Sequence, residues 1–230
     1  MKKSFTFLVQ LLISLVCLSV TVAMVHGVPG IPVHFDRQQA LLPALIGLGA
    51  GLLVFALFAR FLTLYVLGHE LMHWFAAKLF LRQTGSITVG KEGGSVAVDK
   101  PNIWITLAPY FVPIYTLLWI GLYALYCLAR RPLPPEPTYT KVMYAGVGVT
   151  YAFHLVMTVV TLMKEQADLR SYGRMLSLSL ILFFNVLVVF VGLLAVSRQW
   201  AEGVQLLING FLFQWDMLSD LCWWVRSLRG

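Results

Sequence analysis

Long apolar stretches alternate with short polar ones along the whole chain. Phe5 to Val25 carries no charge, and Leu41 to Leu67 is apolar apart from Arg60 and a few hydroxyl residues. Ile103 to Leu128, Val142 to Met163 and Met175 to Val196 follow the same pattern. Each run reaches about 20 residues, the length a helix rising 1.5 Å per residue needs to cross a hydrocarbon core of about 30 Å. The pattern predicts an all-α integral membrane bundle of about five transmembrane helices.

The interruptions have their own signatures. Ser86-Ile87-Thr88-Val89-Gly90 and Ser95-Val96-Ala97-Val98 alternate with a period of two, and Lys91-Glu92-Gly93-Gly94 separates them. That predicts a small β-hairpin between the second and third spans. Pro109 and Pro113 kink or break the third span, and Pro132, Pro134, Pro135 and Pro137 predict a stiff loop from Arg130 to Thr140. Nothing after Pro43 breaks the second span strongly, so its helix is expected to run on to about Phe80. Lys2 and Lys3 precede the first run, which reads as a signal peptide or a retained span. The length of the run and the poor cleavage site Val25-His26-Gly27 favour retention. After Arg198, Val204 to Phe213 is too short to cross; with Trp200, Trp215, Trp223 and Trp224 it reads as an interfacial or re-entrant tail.

Composition agrees with a membrane protein: 59% of the 230 residues are apolar and 12% charged. In a soluble protein the net charge of +7 would suggest nucleic acid. Here the basic residues flank apolar runs, where they set topology and meet lipid headgroups, and no nucleic-acid partner is expected. Cys17, Cys127 and Cys222 have no C-x-x-C spacing and read as small apolar residues.

The chemistry concentrates in His69-Glu70-Leu71-Met72-His73, an H-E-x-x-H motif. On a helix, histidines four apart share a face, so their imidazoles converge on one metal ion. Zinc suits neutral imidazole nitrogens. Glu70 is free to act as general base toward a water that the metal acidifies. From Leu41 to His69 a straight helix covers about 42 Å, which puts the motif near a membrane interface. Nine basic residues on the motif's side against seven on the other make that side cytoplasmic. The expected location is therefore the cell membrane, multi-pass.

Two histidines need a third protein ligand. One span leaves the motif's side and the next returns, so residues 164–170 arrive back beside it. Asp168 is the first choice there, then Glu165, then Asp99 in the hairpin loop. His154 lies roughly 21 Å along a helix from Asp168 and reads as a packed histidine or, with Asn185, part of a water path. Arg60 points about half a revolution away from His69 and reads as structural.

Gly68-His69-Glu70-Leu71-Met72-His73 at the end of an apolar helix, a hairpin-like loop after it and an acidic residue two spans later resemble the site-2 protease family of intramembrane zinc metalloproteases. The likeness covers roughly Leu41 to Val196. It implies His69, His73 and Asp168 as zinc ligands and Glu70 as the catalytic base. The chain departs from the family in two ways. Asp168 sits in Gln166-Ala167-Asp168-Leu169-Arg170 rather than N-x-x-P-x-x-x-L-D-G, and no PDZ-like module is present.

The resulting expectation is a divergent zinc metallopeptidase that hydrolyses membrane-anchored or membrane-proximal protein substrates. Residues 1–27 would be a signal-anchor or first span, 28–198 the polytopic peptidase-like domain and 199–230 the Trp-rich tail. The hairpin either covers the site or offers an edge strand to an extended substrate. The alternative function is a non-enzymatic membrane protein with a structural, sensing or transport metal site.

Overall fold

Two prolines lie at the bend in the third apolar stretch. Pro109 and Pro113 cannot donate to a helical ladder. The third apolar stretch accordingly divides into α4 (Ile103–Phe111) and α5 (Ile114–Ala129), which meet at 68°. A computed structural model describes residues 2–31, 37–57, 62–90, 93–163, 167–197 and 199–228. It folds as two compact units, one formed by residues 35–171 and the other by 1–34 with 172–230.

The 35–171 unit begins with a π-helical turn at Arg37–Leu41 that leads into α2 (Leu42–Leu57). The motif lies on α3 (Leu62–Leu79). Residues 58–61 are outside the described ones, so the expected single helix through residues 41–80 is described as these two helices. β1 (Thr84–Val89) and β2 (Gly94–Val98) form the antiparallel hairpin, with Val89 opposite Gly94 and Ile87 opposite Val96. The Asn102 side chain accepts the Ile105 amide at 2.9 Å and so starts α4. α6 (Pro137–Leu162) begins inside the loop expected to end at Thr140, because proline is well suited to a helix's first turn. α7 (Ala167–Ser171) closes the unit.

α2 and α6 meet backbone to backbone. A methyl group on Gly47 would lie 2.1 Å from the Ala145 carbonyl oxygen, and one on Gly148 would lie 2.2 Å from that of Ala44. Small residues permit this approach where helices gain most from close van der Waals packing. α3 packs on α4 through buried Met72, Ala76, Ala77, Ile105 and Ala108, which fixes the motif against one flank of the bent pair.

The other unit holds α1 (Lys2–Gly27), α8 (Arg174–Ser197) and α9 (Trp200–Ser227). Met24, Ile31, Phe190 and Leu194 form its buried cluster. The tail forms one continuous helix of 28 residues, which is not among the helices long and apolar enough to cross a membrane.

Four described helices are long and apolar enough to cross a membrane, at Phe5–Gly30, Gln39–Leu57, Pro137–Leu162 and Arg174–Ser197, and the bent α4–α5 pair is a fifth if it crosses as one span. The helix-dominated fold, the span count and the hairpin thus agree with the apolar pattern. α3 is not among these segments, because His69, Glu70, His73 and Lys78 dilute its apolar content.

Candidate metal centre

The helical repeat of α3 brings His69 and His73 together as expected, with their Nε2 atoms 3.2 Å apart. Asp168 comes from α7, about a hundred residues on, and its Oδ2 lies 3.7 Å from His69 Nε2 and 3.6 Å from His73 Nε2. Ligands at about 2.0–2.1 Å around tetrahedral zinc stand roughly 3.3 Å from one another. The observed triangle is close to that size. The chemistry of the donors fits as well. His73 Nδ1 is 2.9 Å from the Ile105 carbonyl oxygen, which can only accept, so the proton of a neutral ring sits on Nδ1. Its Nε2 therefore presents a lone pair to a carboxylate oxygen and to a second imidazole nitrogen. Electron-pair donors converging in this way call for a cation between them.

Each of the three has a further partner that holds its orientation. The Tyr65 hydroxyl lies 3.3 Å from His69 Nδ1, and the Tyr110 hydroxyl donates to Asp168 Oδ2 at 2.9 Å. Tyr110 is fully buried and Tyr65 nearly so. Burial alone would raise the Asp168 pKa, but the facing His69 and His73 rings and the Tyr110 hydroxyl hold it well below the usual carboxylate range. The carboxylate is thus kept ionised, the form a metal requires.

Glu70 stands beside this group and is not part of it. It is only 7% exposed, and it lines a cavity of about 340 Å³ together with His69, His73, Asp168 and strand β2. Burial raises its pKa, while His69 and His73 draw it back down in part. A carboxylate poised upward in this way accepts a proton more readily than an exposed one. Gly94, the first residue of β2, makes the close approach possible: a methyl group there would fall 2.8 Å from Glu70 Cγ and 2.7 Å from Val66 Cγ1. The backbone amide of Val96 lies against the Glu70 carboxylate. The hairpin therefore packs directly on the general-base candidate.

Of the other acidic candidates, Asp99 is exposed at the end of β2 and does not join the group. Glu165 lies outside the described residues, as does Arg60. His154 is buried in α6 and also lies outside the group. Asn185 belongs to α8 and donates to the Ile181 carbonyl of its own helix. The sequence reading did not pick out Tyr65 or Tyr110. Tyr65 stands four residues before His69, a spacing that could have identified it, whereas nothing local singles out Tyr110.

Tyr110→Phe removes the hydrogen bond to Asp168 and keeps the ring. It is expected to weaken zinc binding by about 10–100-fold, the usual cost of losing such an outer partner, and competition against a chelator of known affinity measures this. Unchanged affinity would mean that Asp168 is oriented without the hydroxyl.

No protein-family profile, no curated protein and no solved structure matches this chain, so the reading of the site rests on its own geometry.

Proposed function

We propose that this protein is a membrane-embedded zinc metallopeptidase, with His69, His73 and Asp168 as metal ligands and Glu70 as general base. The observation that carries the reading is the triangle of His69 Nε2, His73 Nε2 and Asp168 Oδ2, with a buried glutamate beside it that is not a ligand. Three protein ligands leave a fourth position open, the arrangement of catalytic rather than structural zinc. Zinc bound there supplies Lewis acidity toward a carbonyl oxygen and acidifies a water. Glu70 takes the proton of that water and delivers it to the departing amine nitrogen.

The hairpin supports a peptide as substrate. β2 pairs with β1 along one edge only among the described residues, and it borders the cavity. An extended segment could add to its other edge and present its carbonyl to the site. The long apolar helices support a multi-pass protein of the cell membrane. The substrate would then be a membrane-anchored or membrane-proximal protein, met near the cytoplasmic side.

The direct test is metal content and proteolysis of the detergent-solubilised, purified chain. About one zinc per chain, with zinc-dependent cleavage of membrane-anchored reporter peptides, is the expected result. No zinc even after supplementation overturns the reading. Bound zinc without cleavage of any reporter favours a structural, sensing or transport site instead.

A further inference from the structure

Tyr65 meets the metal centre on one side and α6 on the other. Its hydroxyl lies 3.3 Å from Nδ1 of His69, one helical turn along α3. Its ring packs with Phe153 and Met157 of α6 in a buried cluster. That seats the hydroxyl against those of Thr161 and Thr158, which stand one turn apart on α6. Both threonines are buried, at 7% and 4% exposure. Thr158 Oγ1 makes no other hydrogen bond among the described residues. Hydroxyls on the buried face of an apolar helix are costly unless they bond to something.

The protons of this group can be placed one at a time. As a metal ligand, His69 presents a lone pair at Nε2, which faces His73 Nε2 at 3.2 Å and Asp168 Oδ2 at 3.7 Å. The proton of the neutral ring then sits on Nδ1 and is donated to the Tyr65 oxygen. The Tyr65 hydroxyl keeps a proton of its own, and a buried hydroxyl that donates to nothing is costly. The threonine oxygens are the acceptors beside it. A helical threonine can hand its own proton to a carbonyl one turn back, which leaves its oxygen free to accept. Without these acceptors the most stable arrangement reverses. Tyr65 then donates to Nδ1, the ring proton moves to Nε2, and the lone pair is lost where the metal needs it.

We propose that Thr161 and Thr158 are positioning residues for the metal centre: through the Tyr65 hydroxyl they fix His69 as the tautomer that ligates through Nε2. The inference rests on His69 being a metal ligand and extends that reading to α6. Outer hydrogen bonds of this kind set the ring orientation and tautomer of ligating histidines. His73 is fixed by a simpler device, the Ile105 carbonyl oxygen, which can only accept. His69 meets a hydroxyl instead. A hydroxyl either donates or accepts, so a further contact has to decide which. α6 thereby acts on two of the three ligands, since α7, which follows it, carries Asp168.

The test is the zinc affinity of the detergent-solubilised full chain, by competition with a chromophoric chelator. The double substitution Thr158→Val and Thr161→Val keeps the branched shape and removes both hydroxyls. It is expected to weaken zinc binding about tenfold or more. Thr158→Ser with Thr161→Ser, which keeps the hydroxyls, is expected to stay within about twofold of the parent. In the Tyr65→Phe background the valine pair is expected to add less than about twofold, because nothing is left for the threonines to act through. Parent-like affinity in the valine variant overturns the proposal. So does a serine variant as weak as the valine one, or a full further loss in the Tyr65→Phe background, since either means packing alone. A parent that binds no zinc defeats the metal reading instead. Nitrogen NMR spectra of the histidine-labelled chain then decide, with His69 assigned by the signal lost in His69→Gln. A neutral His69 protonated on Nδ1 in the parent and on Nε2 in the valine variant upholds the proposal, and any other pattern overturns it.

Discussion

Glu70→Gln is expected to lower peptide-bond hydrolysis by about 10²–10⁴-fold while zinc content stays at the parent level. The amide keeps the shape of the side chain, so the packing of Gly94 and Val66 against it is retained. It cannot take a proton from water. The ligand triangle does not include residue 70, so the metal has no reason to leave. Cleavage of a reporter peptide and metal analysis of the same sample check both halves. Cleavage at the parent rate would remove Glu70 from its role. Loss of zinc would make Glu70 a ligand and redraw the site.

Asp168→Ala is expected to abolish stoichiometric zinc binding, with a larger effect than the roughly 10–100-fold expected for loss of an outer partner. Asp168 supplies the only carboxylate in the described ligand group and the charge that offsets the cation. Asp168→Asn separates charge from shape, because its carbonyl oxygen can still accept from the Tyr110 hydroxyl. It is expected to retain more zinc than Asp168→Ala and less than the parent, as titration with a chromophoric chelator would show. Zinc held by Asp168→Ala at the parent affinity would mean a different third ligand, and Glu165 and Asp99 would be the next to replace.

The two halves of the site were unequally legible in the sequence. His69, Glu70 and His73 could be read directly because helical geometry is local: residues four apart share a face whatever surrounds them. Asp168 could be placed only on the correct side of the membrane, by counting crossings. The distance of 3.6–3.7 Å that brings it to the histidines depends on how α4 seats α7, and no local pattern encodes that. Tyr110 was invisible for the same reason. Its hydroxyl meets a carboxylate 58 residues away, while its sequence neighbours read as an ordinary apolar helix.

The hairpin and the tail show the same division at the level of the fold. Two alternating strands around Gly93-Gly94 predicted the hairpin, but only packing shows that Gly94 presses on Glu70. The tail's short apolar core suggested an interfacial or re-entrant segment; residues 200–227 form one helix, and only packing shows that it docks on α1 through Gly210 and Gln214. By itself the sequence determined the helical periodicity, the number of long apolar segments, the bend at Pro109 and Pro113 and the paired histidines. These follow from interactions within a few residues of chain, where backbone stereochemistry and side-chain spacing dominate. The tertiary structure alone decided that Asp168 lies against the two histidines, which tyrosines contact the group, and how α9 docks on α1. Those depend on contacts between distant segments, whose geometry is set by packing across the whole fold.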